Sequence, residues 1–220
     1  MEPISVSEYC SDRDRQAIVL LHFYVRTCEP MPIPPFDHNQ VLPPHLGDPR
    51  SFAQLSPYPA TSEEVCRHFA TSPQRKVILL GLLAFRARCI QMGIAIGFQW
   101  LDGSFLENIE QSENRSPRDL DVVTFFEPPS DPAAAHLLVQ NIGANFPDFL
   151  DSRLSKANFH LDHFPVNLRP PQASALVENT RYWTGLFSHR RNGIWKGMLR
   201  VDLNTAVDDA TALSYLATVP

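Results

Sequence analysis

The chain has 220 residues, of which 44% are hydrophobic and 20% are charged, as in a globular domain that buries a core. Its net charge is −5 at pH 7, which excludes a protein that coats nucleic acid through a broadly basic surface. It has no long apolar window and no signal-peptide pattern at its start, so we expect neither a membrane span nor secretion.

The cysteines favour the cytoplasm as the location of the protein. The sequence has four of them, and they show neither CxxC spacing nor a Cys/His ligand pattern. We therefore expect free thiols in a reducing cytoplasm and no zinc site.

Residues 1–30 are predicted to be an N-terminal extension, in which an apolar stretch at residues 17–25 favours a helix. Residues 31–72 are predicted to be a proline-rich arm followed by a short helix, because proline removes backbone donors and restricts the residue before it. One interpretation is an arm laid over the domain, and the alternative is a PxxP-type ligand or adaptor for a protein partner. The expected anchors of the arm are Ile33, Phe36, Val41 and Leu42.

Two helix starts follow the arm. Ser62 is predicted to cap a short helix that ends near residue 70. Ser72 and Pro73 predict the start of a longer helix, because serine caps and proline favours the first helical position. Gly93 is suited to its C-terminal stop.

The longer helix is rich in apolar residues and is predicted to be mostly buried. Val77 and Leu80 are expected to belong to its buried side. Arg75 and Arg86 are expected to mark its solvent side.

The remaining elements predict an α/β (α+β) domain over residues 73–220, with a mixed sheet flanked by helices. Apolar runs predict strands at residues 94–101, 119–126, 158–168 and 195–203. Helices are predicted at residues 133–146, 180–187 and 206–216.

A Gly103-Ser104 pair is predicted at the turn between the first of these strands and a helix. Glycine allows the backbone to approach a ligand closely, and Ser104 offers a hydroxyl group. The amides at the start of the following helix are expected to bind a phosphate oxygen, helped by the helix dipole.

Asp119 and Asp121 are predicted to share one face of the second strand, because side chains alternate along a strand. Leu120 and Val122 are then expected to point into the core. Two neighbouring carboxylates repel each other unless a divalent cation lies between them, and Mg²⁺ prefers such oxygen ligands.

The sequences Gly-Ser-Phe at 103–105 and Asp-Leu-Asp at 119–121 together resemble the signature of the polymerase-beta-like nucleotidyltransferase superfamily. Most of residues 31–203 resemble a bacterial family of nucleotidyltransferase-like proteins with this GSF…DLD motif, with an enlarged loop at residues 107–118. The resemblance implies a nucleotidyltransferase fold, binding of ATP or another nucleoside triphosphate, and two Mg²⁺ ions. It implies transfer of a nucleoside monophosphate to a hydroxyl group of RNA, protein or a small molecule.

The resemblance also implies that a third carboxylate completes the metal site beside Asp119 and Asp121. Asp162, on the predicted strand at 158–168, is the preferred candidate, and Asp202 is the alternative. This third carboxylate is also a candidate to accept the proton of the attacking hydroxyl.

Positive charge is expected near a triphosphate, and Arg190 and Lys196 belong to the densest basic cluster of the chain. Tyr182 and Trp183 are candidate stacking surfaces for a base, and Lys156 is a weaker candidate for a phosphate contact. The alternative function is a catalytically weak binding protein with the same fold, acting as an antitoxin-like or defence-system partner.

Overall fold

A five-stranded mixed sheet with the order β1-β5-β2-β3-β4 forms the centre of the computed structural model, which describes residues 33–220. Strands β1 and β5 are parallel, as are β3 and β4, whereas β2 runs antiparallel to both β3 and β5. The extension predicted at residues 1–30 lies outside the described residues. The strands are β1 Tyr58–Pro59, β2 Gly97–Asp102, β3 Leu120–Phe126, β4 Leu161–Asn167 and β5 Leu199–Asp202.

Seven α-helices accompany the sheet within the described part of the chain, which confirms the α/β prediction. The helices are α1 Ser62–Phe69, α2 Pro73–Gln91, α3 Ile109–Glu113, α4 Pro132–Asn145, α5 Ser152–Phe159, α6 Ala173–Phe187 and α7 Ala206–Thr218. No helix of residues 33–220 has both the length and the apolar character needed to cross a bilayer.

The larger core lies on one face of the sheet, where residues of α1, α2 and α7 pack on the strands. Leu120 and Val122 are fully buried in it, as their alternation with the aspartates predicts. Cys66 and Cys89 are buried there as free thiols. The two other cysteines lie outside the described residues.

A smaller apolar cluster covers the opposite face, which also carries the carboxylates described below. Trp183 and Phe187 of α6 pack against Trp100, Val123 and Phe125 of the sheet. Helix α6 therefore closes the middle of this face, and the carboxylates lie beyond the cluster, at the end of the strands.

The proline-rich segment lies on the domain, as the first interpretation predicted. Ile33, Val41 and Leu42 are buried, and Phe36 is half-buried against the larger core. The segment ends in the edge strand β1, which is compatible with its prolines because an edge strand needs fewer backbone donors.

The N-cap of α1 is Thr61, one residue before the predicted cap, Ser62. The Glu64 amide donates to Thr61 Oγ1 over 3.1 Å, and the Thr61 amide donates to Glu64 Oε2 over 2.7 Å. This reciprocal pair satisfies two backbone donors at once. Ser72 and Pro73 begin α2 as predicted.

The solvent side predicted for α2 is wrong at Arg75 and Arg86. Arg75 and Arg86 are 2% and 1% exposed, whereas Val77 and Leu80 are 43% and 39% exposed. The arginines are tolerated inside because each guanidinium group has several fixed acceptors, which offset the cost of burying its charge.

The buried side chain of Arg86 connects α2 to three other elements. Its guanidinium donates to Asp209 Oδ1 over 2.9 Å, to Gln99 Oε1 over 2.8 Å and to Thr205 Oγ1 over 2.6 Å. It also donates to the carbonyl of Asp202 over 2.8 Å. Arg86 thus joins α2 to β2, β5 and the start of α7.

Three predicted boundaries are also wrong. The strand predicted from residue 158 begins at Leu161, because residues 152–159 form α5 with Asp151 as the N-cap. The strand predicted at residues 195–203 is limited to β5, and the helix predicted from residue 180 begins at Ala173.

Helices α2 and α5 approach each other with backbone contact. A Cβ atom at Gly81 of α2 would lie 1.9 Å from the carbonyl oxygen of Phe159, the last residue of α5. Only glycine allows this separation. The position of α5 therefore depends on the absence of a side chain at residue 81.

Candidate active site

Three aspartates form a row across neighbouring strands. Asp102 pairs with Asp121 between β2 and β3, and Asp121 pairs with Asp162 between β3 and β4. Paired residues place their side chains on the same face of a sheet. Asp119 lies two residues before Asp121 and so belongs to that face as well. The structure thus brings together Asp119, Asp121 and Asp162, and it adds Asp102, which sequence reasoning missed.

The backbone at Gly103 bends against this row. Gly103 has φ +87°, and a Cβ atom there would lie 2.8 Å from Asp121 Oδ2. Glycine is required on both grounds, because a side chain would strain the backbone and collide with the carboxylate. The predicted closeness of the Gly-Ser bend and the Asp-x-Asp pair is therefore present.

The phosphate site predicted at the start of the next helix is not formed as expected. Ser104 begins a 3-10 helix of three residues, Ser104–Leu106, and α3 starts only at Ile109. One turn of 3-10 helix aligns too few peptide dipoles to provide the expected electrostatic contribution. Ser104 still follows Gly103 directly in the chain.

The carboxylate row is electrostatically costly. The pKa of Asp121 is raised to about 6 by burial and by the charges of Asp119 and Asp162, which Lys196 and Lys156 partly oppose. Burial also raises the pKa of Asp102 to about 7, although Lys196 lies beside it. Negative charge is therefore concentrated here beyond what the nearby lysines offset.

Lys156 of α5 reaches two of these carboxylates. Its Nζ lies 2.5 Å from Asp119 Oδ2 and 3.8 Å from Asp162 Oδ2. The hydrogen bond with Asp119 raises the pKa of Lys156, which keeps the ammonium group charged. The sequence offered Lys156 only as a weaker phosphate contact, because its proximity to Asp119 depends on how α5 packs.

Lys196 and Arg190 were predicted to contact a triphosphate. In the structure both are already in ion pairs with carboxylates. Lys196 Nζ lies 3.0 Å from Asp102 Oδ1, 3.0 Å from Glu107 Oε1 and 3.3 Å from the carbonyl of Gly103. Arg190 Nε lies 3.1 Å from Glu107 Oε2, and its guanidinium group also pairs with Glu113. Their charges are already offset by carboxylates, two of which come from the enlarged loop.

The predicted stacking surface is only partly present. Trp183 is 7% exposed and packs against Phe164 and Phe187, so its faces are not available to a base. Tyr182 is 56% exposed and remains accessible.

Asp202, the alternative third carboxylate, lies at the wrong end of the sheet. It pairs with Phe98, at the opposite end of β2 from Asp102, and it is exposed and ion-paired with Arg200. Four residues of extended strand separate these ends by about 13 Å. Of the two candidates, Asp162 is the one adjacent to Asp121.

The donor chemistry of the row fits a hard divalent cation, because it offers carboxylate oxygens whose mutual repulsion such a cation would relieve. Asp119, Asp121 and Asp162 are the residues that would hold it. Within residues 33–220, however, no three His, Cys, Asp or Glu side chains converge into a ready-made metal cage. Lys156 lies against two of the three carboxylates instead.

A family model described as "Family of unknown function (DUF6932)" matches residues 34–202. The chain belongs to the DUF6932 family. The match includes most of the proline-rich segment, the Gly103 bend and all four aspartates of the row described above. Searches of curated proteins and of solved structures found no match.

Gly103→Ala is expected to disturb the site rather than the core. The new methyl group would meet Asp121 Oδ2, so the carboxylate or the bend has to move, and the positive φ adds strain. We expect a loss of about 1–3 kcal/mol in the free energy of unfolding, measured with urea. Gly193→Ala is the control, because residue 193 also has a positive φ but open space around its Cβ position. Equal losses in both variants would contradict a contact with Asp121.

Asp121 is expected to make stability depend on pH. Its pKa is raised from 3.8 to about 6 on folding, so the folded state binds the proton more tightly, and stability falls as pH rises between these values. Asp121→Asn lacks this fall, so its advantage over the wild type grows by about 2 kcal/mol between pH 4 and pH 7. Urea unfolding across this range measures it, with Asp202→Asn as the control. Parallel pH profiles for wild type and Asp121→Asn would contradict the prediction.

Proposed function

We propose that this chain is a magnesium-dependent nucleotidyltransferase, which moves a nucleoside monophosphate from a triphosphate to a hydroxyl acceptor. The observation that carries the proposal is the contact between the Gly103 bend and Asp121, flanked by Asp119 and Asp162. The row combines a close backbone approach with clustered carboxylates, and phosphoryl transfer requires both a phosphate cradle and a cation site.

Asp119, Asp121 and Asp162 hold the cation in this proposal. When bound, Mg²⁺ supplies charge neutralisation for the triphosphate and makes a hydroxyl group more acidic. A pair of ions, as the family resemblance implies, stays a prediction. The raised pKa of Asp121 keeps part of the row protonated below about pH 6, so cation binding is expected to improve as pH rises above it.

The chain's own groups do the remaining work at the bend. Gly103 lets the backbone approach the phosphates, and Ser104 offers a hydroxyl donor beside it. Lys196 fixes the bend by contacting the Gly103 carbonyl and the carboxylates of Asp102 and Glu107. Asp162, or a water molecule it orients, is the candidate acceptor for the proton of the attacking hydroxyl.

The test is transfer of label. Full-length protein is incubated with Mg²⁺, each of the four nucleoside triphosphates labelled on the α-phosphate, and a cell extract that supplies RNA, protein and small hydroxyl acceptors. A labelled product that depends on both the protein and Mg²⁺ supports the proposal and identifies the class of acceptor. Absence of label with every triphosphate would reject it.

A second candidate is a catalytically weak nucleotidyltransferase-fold protein that acts as a binding partner, for example in an antitoxin-like or defence-system complex. The contacts of Lys156 with Asp119 and Asp162 favour it, because lysine already offsets carboxylates that catalysis requires for a metal ion. A protein that binds a triphosphate but transfers no label would support this candidate.

A further inference from the structure

Lys156 differs from Lys196 in its freedom to leave the carboxylates. Lys156 is 51% exposed and contacts Asp119 and Asp162 from the solvent side. Lys196 is 6% exposed and is fixed by two carboxylates. A lysine side chain has a flexible stem, so Lys156 can move its ammonium group into water without any change in α5.

The ammonium group of Lys156 lies against the carboxylates of Asp119 and Asp162, which are two of the groups that would hold the cation. Its Nζ, 2.5 Å from Asp119 Oδ2, takes up one acceptor site of that carboxylate and leaves fewer lone pairs for a metal ion. An ammonium group and a divalent ion also repel each other strongly at such separations. Binding of one therefore disfavours binding of the other.

We propose that Lys156 is a resident counter-ion that competes with a divalent cation for the carboxylates of Asp119 and Asp162. The inference rests on the proposed function, because it uses the same carboxylates as cation ligands. While Lys156 is in place it offsets the repulsion between them, and the cation binds only when the ammonium group has moved away. The apparent affinity for the cation is then reduced by the fraction of time for which the carboxylates are free.

The competition predicts that removing the ammonium group strengthens cation binding. We expect Lys156→Met to bind Mn²⁺ about fivefold more tightly than the wild type, since a half-exposed ion pair is of modest strength. Isothermal titration calorimetry of full-length protein with Mn²⁺ alone, without nucleotide, measures this directly. Urea unfolding of each variant checks that the fold is retained, which the exposure of Lys156 favours.

Two further variants separate competition from a general change in charge. Arg153→Met removes one positive charge from the same helix, where Arg153 is 89% exposed and paired with Asp151, and it is expected to leave Mn²⁺ affinity unchanged. Lys156→Arg keeps a cation beside the carboxylates and is expected to show no gain. An affinity of Lys156→Met equal to or weaker than that of the wild type, or an equal gain in Arg153→Met, would overturn the proposal.

The proposal for Lys156 and the proposed transferase activity can be tested independently of each other. A gain in Mn²⁺ affinity in Lys156→Met, together with no label transfer by any form of the protein, supports the counter-ion and rejects the transferase. Label transfer by the wild type without a gain in Lys156→Met rejects the counter-ion and leaves the transferase standing.

Discussion

Asp121→Asn is expected to lower Mg²⁺-dependent label transfer about a thousandfold or more, because it removes a charge from the centre of the row that would hold the cation. Asp121 lies between Asp102 and Asp162 in the register and touches the Gly103 bend. Asparagine keeps the shape of the side chain, so the variant is expected to fold. Initial rates with the labelled triphosphate measure the effect.

Asp202→Asn is the matched control for this loss. Asp202 is also a strand aspartate, but it is exposed and lies at the far end of β2 from the row. It should retain the activity of the wild type. Equal rates in Asp121→Asn and the wild type would exclude catalysis at this row, and an equal loss in Asp202→Asn would remove the assignment to Asp121 in particular.

The inactive variant is also expected to be more stable than the wild type at pH 7, because Asp121 is destabilised by burial and by its acidic neighbours. Loss of activity with a gain in stability separates a functional role from a structural one. A merely structural aspartate would lose both together.

Arg86→Met is expected to lower the free energy of unfolding by about 3–5 kcal/mol, a large share of the stability of a typical domain. The substitution leaves the Asp209 carboxylate and the Gln99 amide oxygen without their cationic donor in a buried environment. The side chain of methionine fills part of the space but donates no hydrogen bond. Urea unfolding monitored by circular dichroism measures the loss.

Arg88→Met, two residues further along α2, is the control. The Arg88 guanidinium contacts the exposed side chain of Gln91 and the carbonyl of Asn145, so its removal is expected to cost less than about 1 kcal/mol. A loss in Arg86→Met as small as the one expected for Arg88→Met would show that the buried contacts of Arg86 contribute little to stability.

The parts of the site that follow from local geometry could be predicted. Alternation along a strand places Asp119 and Asp121 on one face and buries Leu120, and the chain needs no distant contact to establish this. The start of α2 at Ser72 and Pro73 is likewise determined by neighbouring residues.

The parts of the site that depend on contacts between residues far apart in the sequence could not be predicted. Asp102 joins the row only through the register of β2 with β3, and from sequence it looked like the polar stop of a strand. The burial of Arg86 depends on Asp209, which is far away in the chain. A signal for Asp102 existed in its position directly before Gly103, the residue that contacts Asp121.

The structure confirms the predicted fold class, but it does not test the predicted activity. The family match covers residues 34–202 and carries no function, so the transferase stays a prediction that the label assay decides. Asp162 pairs with Asp121 in the sheet, whereas Asp202 pairs with Phe98. This arrangement favours Asp162 over Asp202 as the third carboxylate.

The glycine contact between α2 and α5 links the packing of the larger core to the chemistry proposed at the row. Lys156 lies three residues before Phe159, whose carbonyl oxygen touches the backbone at Gly81. We expect a larger residue at position 81 to push α5 outward and to carry the ammonium group of Lys156 away from Asp119. A substitution between two helices, outside the carboxylate row itself, would thereby alter how readily the row takes up an ion.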